Sequence, residues 1–247
     1  MSEHAWFAMP ALALAFGVMA LAPLGAQVLR RGVVFIDLAV AQAAAATALW
    51  VGALLDHPGP LVTQALAALG ALACAGVVAW LSRRSAGQRE ALIGLLYVLG
   101  ASFALLGARQ DAHGREHLAE LLAADVLWAG WPQVASMAVC AALAAATTRI
   151  VHRDAVFYAV FAIVASMAVP VLGLFVVFAA LIAPALWMQN GTATVRACAG
   201  GAFASAVGLA ASWALDWPSG ACVAVSLVLY GLASLSRRQP GGSPTAA

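Results

Sequence analysis

The sequence predicts an all-α, polytopic bundle of about eight or nine membrane-spanning helices, and three observations carry that prediction. Hydrophobic residues fill 64% of the 247 positions and charged residues only 9%, where a soluble domain has about 45–50% and about 25%. The apolar residues also gather in runs long enough to cross a bilayer core, which takes about 20 helical residues. Finally, these runs do not alternate polar with apolar residues, as the strands of a membrane barrel would. An open sheet is excluded because it leaves backbone groups unsatisfied in lipid.

In chain order the runs lie at 7–29, 34–55, 61–81, 90–108 and 122–147, then 155–169 and 171–189, and last 196–214 and 219–235. The first follows MSEHAWF, which lacks a positive leader region, so it reads as a span and not as a cleavable signal. It ends on Arg30 and Arg31. The second carries one acid, Asp37, at its head and then an alanine face of Ala41, Ala44, Ala45 and Ala48. Small residues at this spacing let another helix come close, as interfaces inside a membrane require. The pair 155–189 is interrupted by Pro170 and Gly173. It reads either as an ordinary proline kink or as a broken, re-entrant pair near a transport path. Residues 1–236 form the transmembrane domain, and 237–247, rich in Pro, Gly and Ser, read as a disordered tail.

All twelve basic side chains are arginines, and their distribution sets the expected orientation. With the N-terminus outside, Arg30, Arg31, Arg83, Arg84, Arg89, Arg149, Arg153, Arg196, Arg237 and Arg238 fall on the cytoplasmic side. Only Arg109 and Arg115 fall outside. That bias selects N-out and C-in, and nine crossings satisfy it. Trp6, Trp50, Trp80, Trp128, Trp131 and Trp217 stand near span ends and read as interfacial anchors.

Composition also excludes chemistry. Without a lysine the chain can hold neither a P-loop nor a Schiff base, so any ATP that drives it is hydrolysed on another chain. Cys74, Cys140, Cys198 and Cys222 stand singly in apolar runs and read as buried thiols. Ser219 lacks the Gly-x-Ser-x-Gly context of a hydrolase elbow, and no Gly-x-Gly-Asp of an intramembrane protease occurs.

Three stretches remain as candidates. Asp37 is a carboxylate beside hydrocarbon, costly by about 2.5–3.5 kcal/mol at a helix centre and less near the edge. It reads as part of a cation path or gate, or else as a helix cap at the membrane edge. Gln42 shares its helix but points about 140° away, where a bond to a neighbouring helix suits it. In the outer segment, if it is helical, His113 and His117 share a face, as do Glu116 and Glu120. They can ligate zinc or manganese, or simply solvate a loop helix. Together with Glu3, Asp56, Asp111, Asp125 and Asp216 they make an acidic mouth that would concentrate cations or dock a basic partner. The inner segment Arg149–Phe157 is a charged turn with an apolar edge, either a plain positive anchor or a short helix that a partner seats in a groove.

The order of these pieces resembles the permease subunits of zinc/manganese/iron-type ABC importers. Gly25–Asp37 (GAQVLRRGVVFID) looks like that family's Arg-Arg turn leading into an aspartate. Gln88–Gly107 is similar to its fourth span, and Leu121–Trp128 stands where it has a Leu-Phe-Gly-Asn-Ile-Leu-like segment. Val169–Trp187 looks like its Leu-Leu-Ile-x-Pro-Ala signature, with Pro184 on the proline. Asp216–Ala221 (DWPSGA) matches its late turn through Ser219 and Gly220. The resemblance implies a multi-pass protein of the bacterial inner membrane, paired with a second permease copy. It would receive a divalent metal from an extracytoplasmic metal-binding protein and be driven by separate ATPase subunits. Asp37 and Gln42 would line the path, and Arg149, His152, Arg153 and Asp154 would couple it to the ATPase. The cargo is the metal; the chain needs no cofactor or nucleic acid, and ATP sits on the partner. One departure stands out: the family's histidine four residues after the aspartate is Ala41 here. The rival readings are a stand-alone secondary transporter of a small solute and a non-transporting membrane scaffold.

Overall fold

A computed structural model describes residues 5–55, 58–84, 86–110, 124 and 126–237. Among them are nine α-helices and no strand: α1 (Ala5–Arg31), α2 (Ile36–Leu54), α3 (Pro60–Arg84), α4 (Arg89–Ala108), α5 (Trp131–Thr147), α6 (Asp154–Leu172), α7 (Leu174–Gln189), α8 (Thr194–Leu215) and α9 (Ser219–Ala233). Seven are long and apolar enough to cross a membrane, α9 once its 3-10 continuation to Ser236 is included, while α5 and α7 are shorter, at 17 and 16 residues. The expected multi-pass helical bundle is therefore what the chain forms. The acidic segment expected to lie outside, with His113 and His117, and the tail beyond Arg237 fall beyond the described residues.

The fifth span starts later than its hydrophobicity suggests. Apolar residues begin near 122, but the helix begins at Trp131. Gly130 is extended there, its N–H donates to Oε1 of Gln133 at 3.0 Å, and Pro132 occupies the first turn. Proline fits a first turn because its missing N–H would have had no partner there. The preceding Val126–Trp128 forms a separate 3-10 turn.

Between α6 and α7 the chain reverses, so 155–189 is a helical hairpin and neither a kinked single helix nor one interrupted span. Gly173 adopts φ 79°, a conformation that L side chains rarely take. The direction of each arm follows from its contacts with α1. Arg31, at the end of α1, reaches Asp154 at the start of α6, whereas Gly17, in the middle of α1, packs on Leu172 at the end of α6. Gly25 then packs on Leu181 and Ala185 of α7, which runs back toward the level of Arg31. Leu172 and Leu174 flank the reversal at 1% and 4% exposure, so the tip is buried in the bundle. Pro170 supplies no N–H for the carbonyl of Ser166, four residues back. That carbonyl instead accepts from Nε2 of Gln64 on α3 at 3.0 Å. Replacing Gln64 by leucine should leave it unsatisfied and cost about 1–3 kcal/mol, read as a lower thermal midpoint of the purified protein in detergent.

α1 packs against α5, α6, α7 and α8, while α2 lies between α3 and α4 and α6 joins the two groups. Glycines make the close contacts, because in lipid van der Waals fit replaces the hydrophobic drive between helices. Gly100 lies on Gln42, Gly201 on Pro184, and a Cβ at Gly208 would stand 2.6 Å from Cα of Val223. The outward faces of α3, α4, α8 and α9 show Leu69, Phe103, Phe203 and Leu229, as a lipid-facing wall requires. Trp80, Trp128, Trp131 and Trp217 are also exposed, but Trp50 turns inward and donates to the carbonyl of Phe103 at 3.0 Å.

One end of the bundle gathers the arginines. Arg31 meets the α5–α6 turn, Arg89 at the head of α4 bonds the end of α1, and Arg83 lines a groove of about 320 Å³ with Ala155 and Tyr158. The head of α2 lies at this same end.

Candidate functional site

Asp37 is the second residue of α2. The chain reaches it through a tight turn in which Gly32 has φ 61° and Val33 N–H returns to Val28 O at 3.3 Å. The cap position belongs to Phe35, and no side-chain cap bond is made. Asp37 is 0% exposed, and neither carboxylate oxygen has a hydrogen-bond partner. The partial positive charge at the head of α2 offsets only a little of that burial. A carboxylate buried without a hydrogen-bond donor is destabilising. Its chemistry is that of a hard oxygen donor, suited to zinc, manganese or other divalent cations.

One turn further on, Ala41 is 2% exposed and contributes no donor. Gln42 is 6% exposed, and its Cβ lies against Gly100, so its stem occupies the seam between α2 and α4. Among the described residues no three His, Cys, Asp or Glu side chains come together as a metal site. Among the described residues, Asp37 is thus at most part of a coordination sphere.

The second feature is the α5–α6 turn. Backbone bonds from Ile150 and Val151 N–H to Thr147 O, and from Arg153 N–H to Ile150 O, fold 148–153 into consecutive turns. Val151 is buried beneath it, while Arg149, His152, Arg153 and Asp154 project from the surface. The apolar edge expected at Ala155–Phe157 divides: Phe157 is fully buried and Ala155 exposed.

What holds this turn is a residue to which sequence reasoning gave no role beyond charge. Arg31 donates from Nη2 to the carbonyls of Val151 (3.2 Å) and His152 (2.9 Å), and from Nε to Oδ1 of Asp154 (3.3 Å). Its Nη1 donates to Oε1 of Gln27 at 2.6 Å, and the guanidinium stands 4.3 Å from the centre of the Phe157 ring. Two further residues brace the same region. Arg89 donates to the carbonyls of Ser82 and Arg31, each at 3.1 Å, and Glu90 Oε1 accepts from Val34 N–H at 2.8 Å. The signal available in the sequence was the Arg-Arg turn itself, but its partners around the α5–α6 turn are more than 100 positions away.

The remaining signature residues are structural. Pro184 is buried against Gly201, and Ser219 and Gly220 begin α9 in a turn where Asp216 has φ 53° and Ser212 Oγ donates to Trp217 O at 2.6 Å.

Among the described residues, one carboxylate is fully buried in this multi-pass helical bundle, at the end that also carries the braced, charged turn, an arrangement that suits a transport permease. Comparison with known proteins specifies the kind. A family model described as the ABC 3 transport family matches residues 5–160, well over half of the 247. The chain belongs to that family, the membrane permeases of metal-importing ABC transporters, and is a multi-pass protein of the bacterial inner membrane. No curated protein gives a significant match. Among solved structures, the chain is similar to a chain of PsaBC from Streptococcus pneumoniae in complex with Fab, with a TM-score of 0.70 over 94% of this chain and 92% of that one. At 13% identity, that likeness speaks for the fold.

Proposed function

We propose that this chain is the passive gate of an ATP-driven importer of zinc or manganese, with Asp37 as a cation-contacting group of the path. The observation that carries the proposal is the fully buried Asp37 carboxylate with no protein donor. A permease has a reason to keep such a group, because an arriving cation supplies the charge that the protein withholds. Since Ala41 adds no ligand, a bound metal would complete its coordination from water or from a second copy of the chain.

In this reading the arginine-rich end faces the cytoplasm, in line with the bias of positive charge toward that side. A separate ATPase subunit docks on Arg149, His152, Arg153 and Asp154, which stand exposed at that end. A chain without lysine cannot supply the P-loop itself. At the opposite end, an extracytoplasmic binding protein would deliver the metal. His113 and His117 are the candidates for a first contact there.

A tagged chain purified from its native membrane in mild detergent should bring down an ATP-hydrolysing subunit. Cells lacking the gene should lose zinc or manganese content, measured by elemental analysis. A chain that purifies without an ATPase, from cells whose metal content is unaltered by its loss, contradicts the proposal.

A further inference from the structure

We infer that Arg31, together with Arg89 and Glu90, is a positioning relay that ties the α5–α6 turn to the head of α2, so that displacement of the turn is passed to Asp37. The inference rests on the proposed coupling role of that turn and adds residues that carry the stroke inward.

The relay runs through hydrogen bonds and the short backbone stretches that join them. On one side, the Arg31 guanidinium grips three groups where the α5–α6 turn enters α6: the carbonyls of Val151 and His152 and the carboxylate of Asp154. Gln27 and the Phe157 ring fix the plane of the fork. A guanidinium makes such divergent bonds from one rigid plane, and a lysine ammonium cannot reproduce them. Arg31 is also the last residue of α1, so whatever moves its side chain moves the start of the turn to α2.

On the other side, α4 holds that turn at two points. Arg89 grips the carbonyl of Arg31 itself, and its Nε bonds the end of α3. Glu90 takes the N–H of Val34, three residues before Asp37. Its second oxygen is buried without a partner, so the carboxylate is held there for this one bond. Only Gly32 to Phe35 separate α1 from α2. With Arg31 gripped and Val34 pinned, the turn has little slack, and α2 follows α1 as one piece.

A plain structural brace would have the same bonds. What separates the two roles is the ratio of cargo moved to ATP spent, which a brace does not set. The test uses the complete transporter, this chain with its ATPase subunits, in proteoliposomes, measuring zinc and manganese uptake and ATP hydrolysis together. Arg31→Lys keeps the charge and loses the fork. It should leave hydrolysis near the wild-type rate and lower the metal moved per ATP by about tenfold, within the range of ordinary coupling between sites. Glu90→Ala should do the same, whereas Glu90→Gln, which keeps an acceptor for Val34, should restore most of the ratio. Should Arg31→Lys fail to assemble, the two Glu90 variants carry the test alone. Uptake per ATP unchanged in both Arg31→Lys and Glu90→Ala, or uptake and hydrolysis falling in proportion, overturns the relay while leaving the functional reading in place. A wild-type complex that moves neither metal overturns both.

Discussion

Replacing Asp37 by alanine is expected to reduce ATP-driven metal uptake to background while making the folded protein more stable. Both halves follow from one fact, that the carboxylate is fully buried and no protein group bonds it. Removing a buried polar group that lacks a partner relieves its desolvation penalty, about 1–3 kcal/mol. A carboxylate acting as a helix cap predicts the reverse, a loss of about 0.5–2 kcal/mol on going to alanine. The sign of the change in thermal midpoint therefore separates the two roles without any transport measurement. Asp37→Asn keeps the shape and removes the charge; it should share the loss of uptake and part of the gain in stability. Higher stability bought with lost activity is a recurrent pattern at functional groups. Normal uptake by Asp37→Ala, or a lowered midpoint, would return this residue to a structural role.

Gly25→Ala is expected to disrupt the bundle itself. A Cβ at Gly25 runs into the carbonyl oxygen of Leu181, with the carbonyl carbon at 2.7 Å and Cβ of Ala185 at 3.3 Å. The obstacle is the backbone of α7, which has no rotamer to change. α1 and α7 must separate, and the contact that sets the hairpin against α1 is lost. Overpacking of this kind costs about 1–3 kcal/mol and sometimes more. Gly52→Ala on α2 is the control: nothing lies within 4 Å of a Cβ there. The control should be neutral or gain up to about 1 kcal/mol of helix propensity. Yield of monodisperse protein and thermal midpoint in detergent check both variants. Equal behaviour of the two would contradict the close α1–α7 contact.

Much of this architecture is readable from hydrophobicity, because in lipid every spanning segment must satisfy its own backbone and only long apolar helices do so. The arginine distribution likewise predicts one basic end, and contacts through Arg31, Arg83 and Arg89 gather there. Where the reading left alternatives, local chemistry decided them. Pro170 and Gly173 could mark a kink or a break, and the positive φ of Gly173 with the buried Leu172 and Leu174 makes a reversal. Hydropathy placed the start of the fifth span near 122 because it does not weigh Gly130 and Pro132, which set it at Trp131.

The site was only half readable. Asp37 stands out because a single acid in an apolar run is conspicuous, and Gln42 attracts notice for the same reason. The i+5 spacing separates them, and Gln42 lies in the seam with α4. Arg31, Arg89 and Glu90 were invisible as a unit. Each is an ordinary charged residue at a span end, and their bonds between segments reach from 56 to 123 positions along the chain. No local pattern encodes such a pairing; it exists only once α1, α4 and α6 have packed.

The central claim, that the chain is a gate worked from outside itself, meets its most direct test in vesicles of defined composition. Purified protein is reconstituted with and without its ATPase subunit, and zinc or manganese is followed against a concentration gradient. Accumulation that requires both the ATPase and ATP is the predicted result. Accumulation by this chain alone, with no nucleotide present, would contradict it.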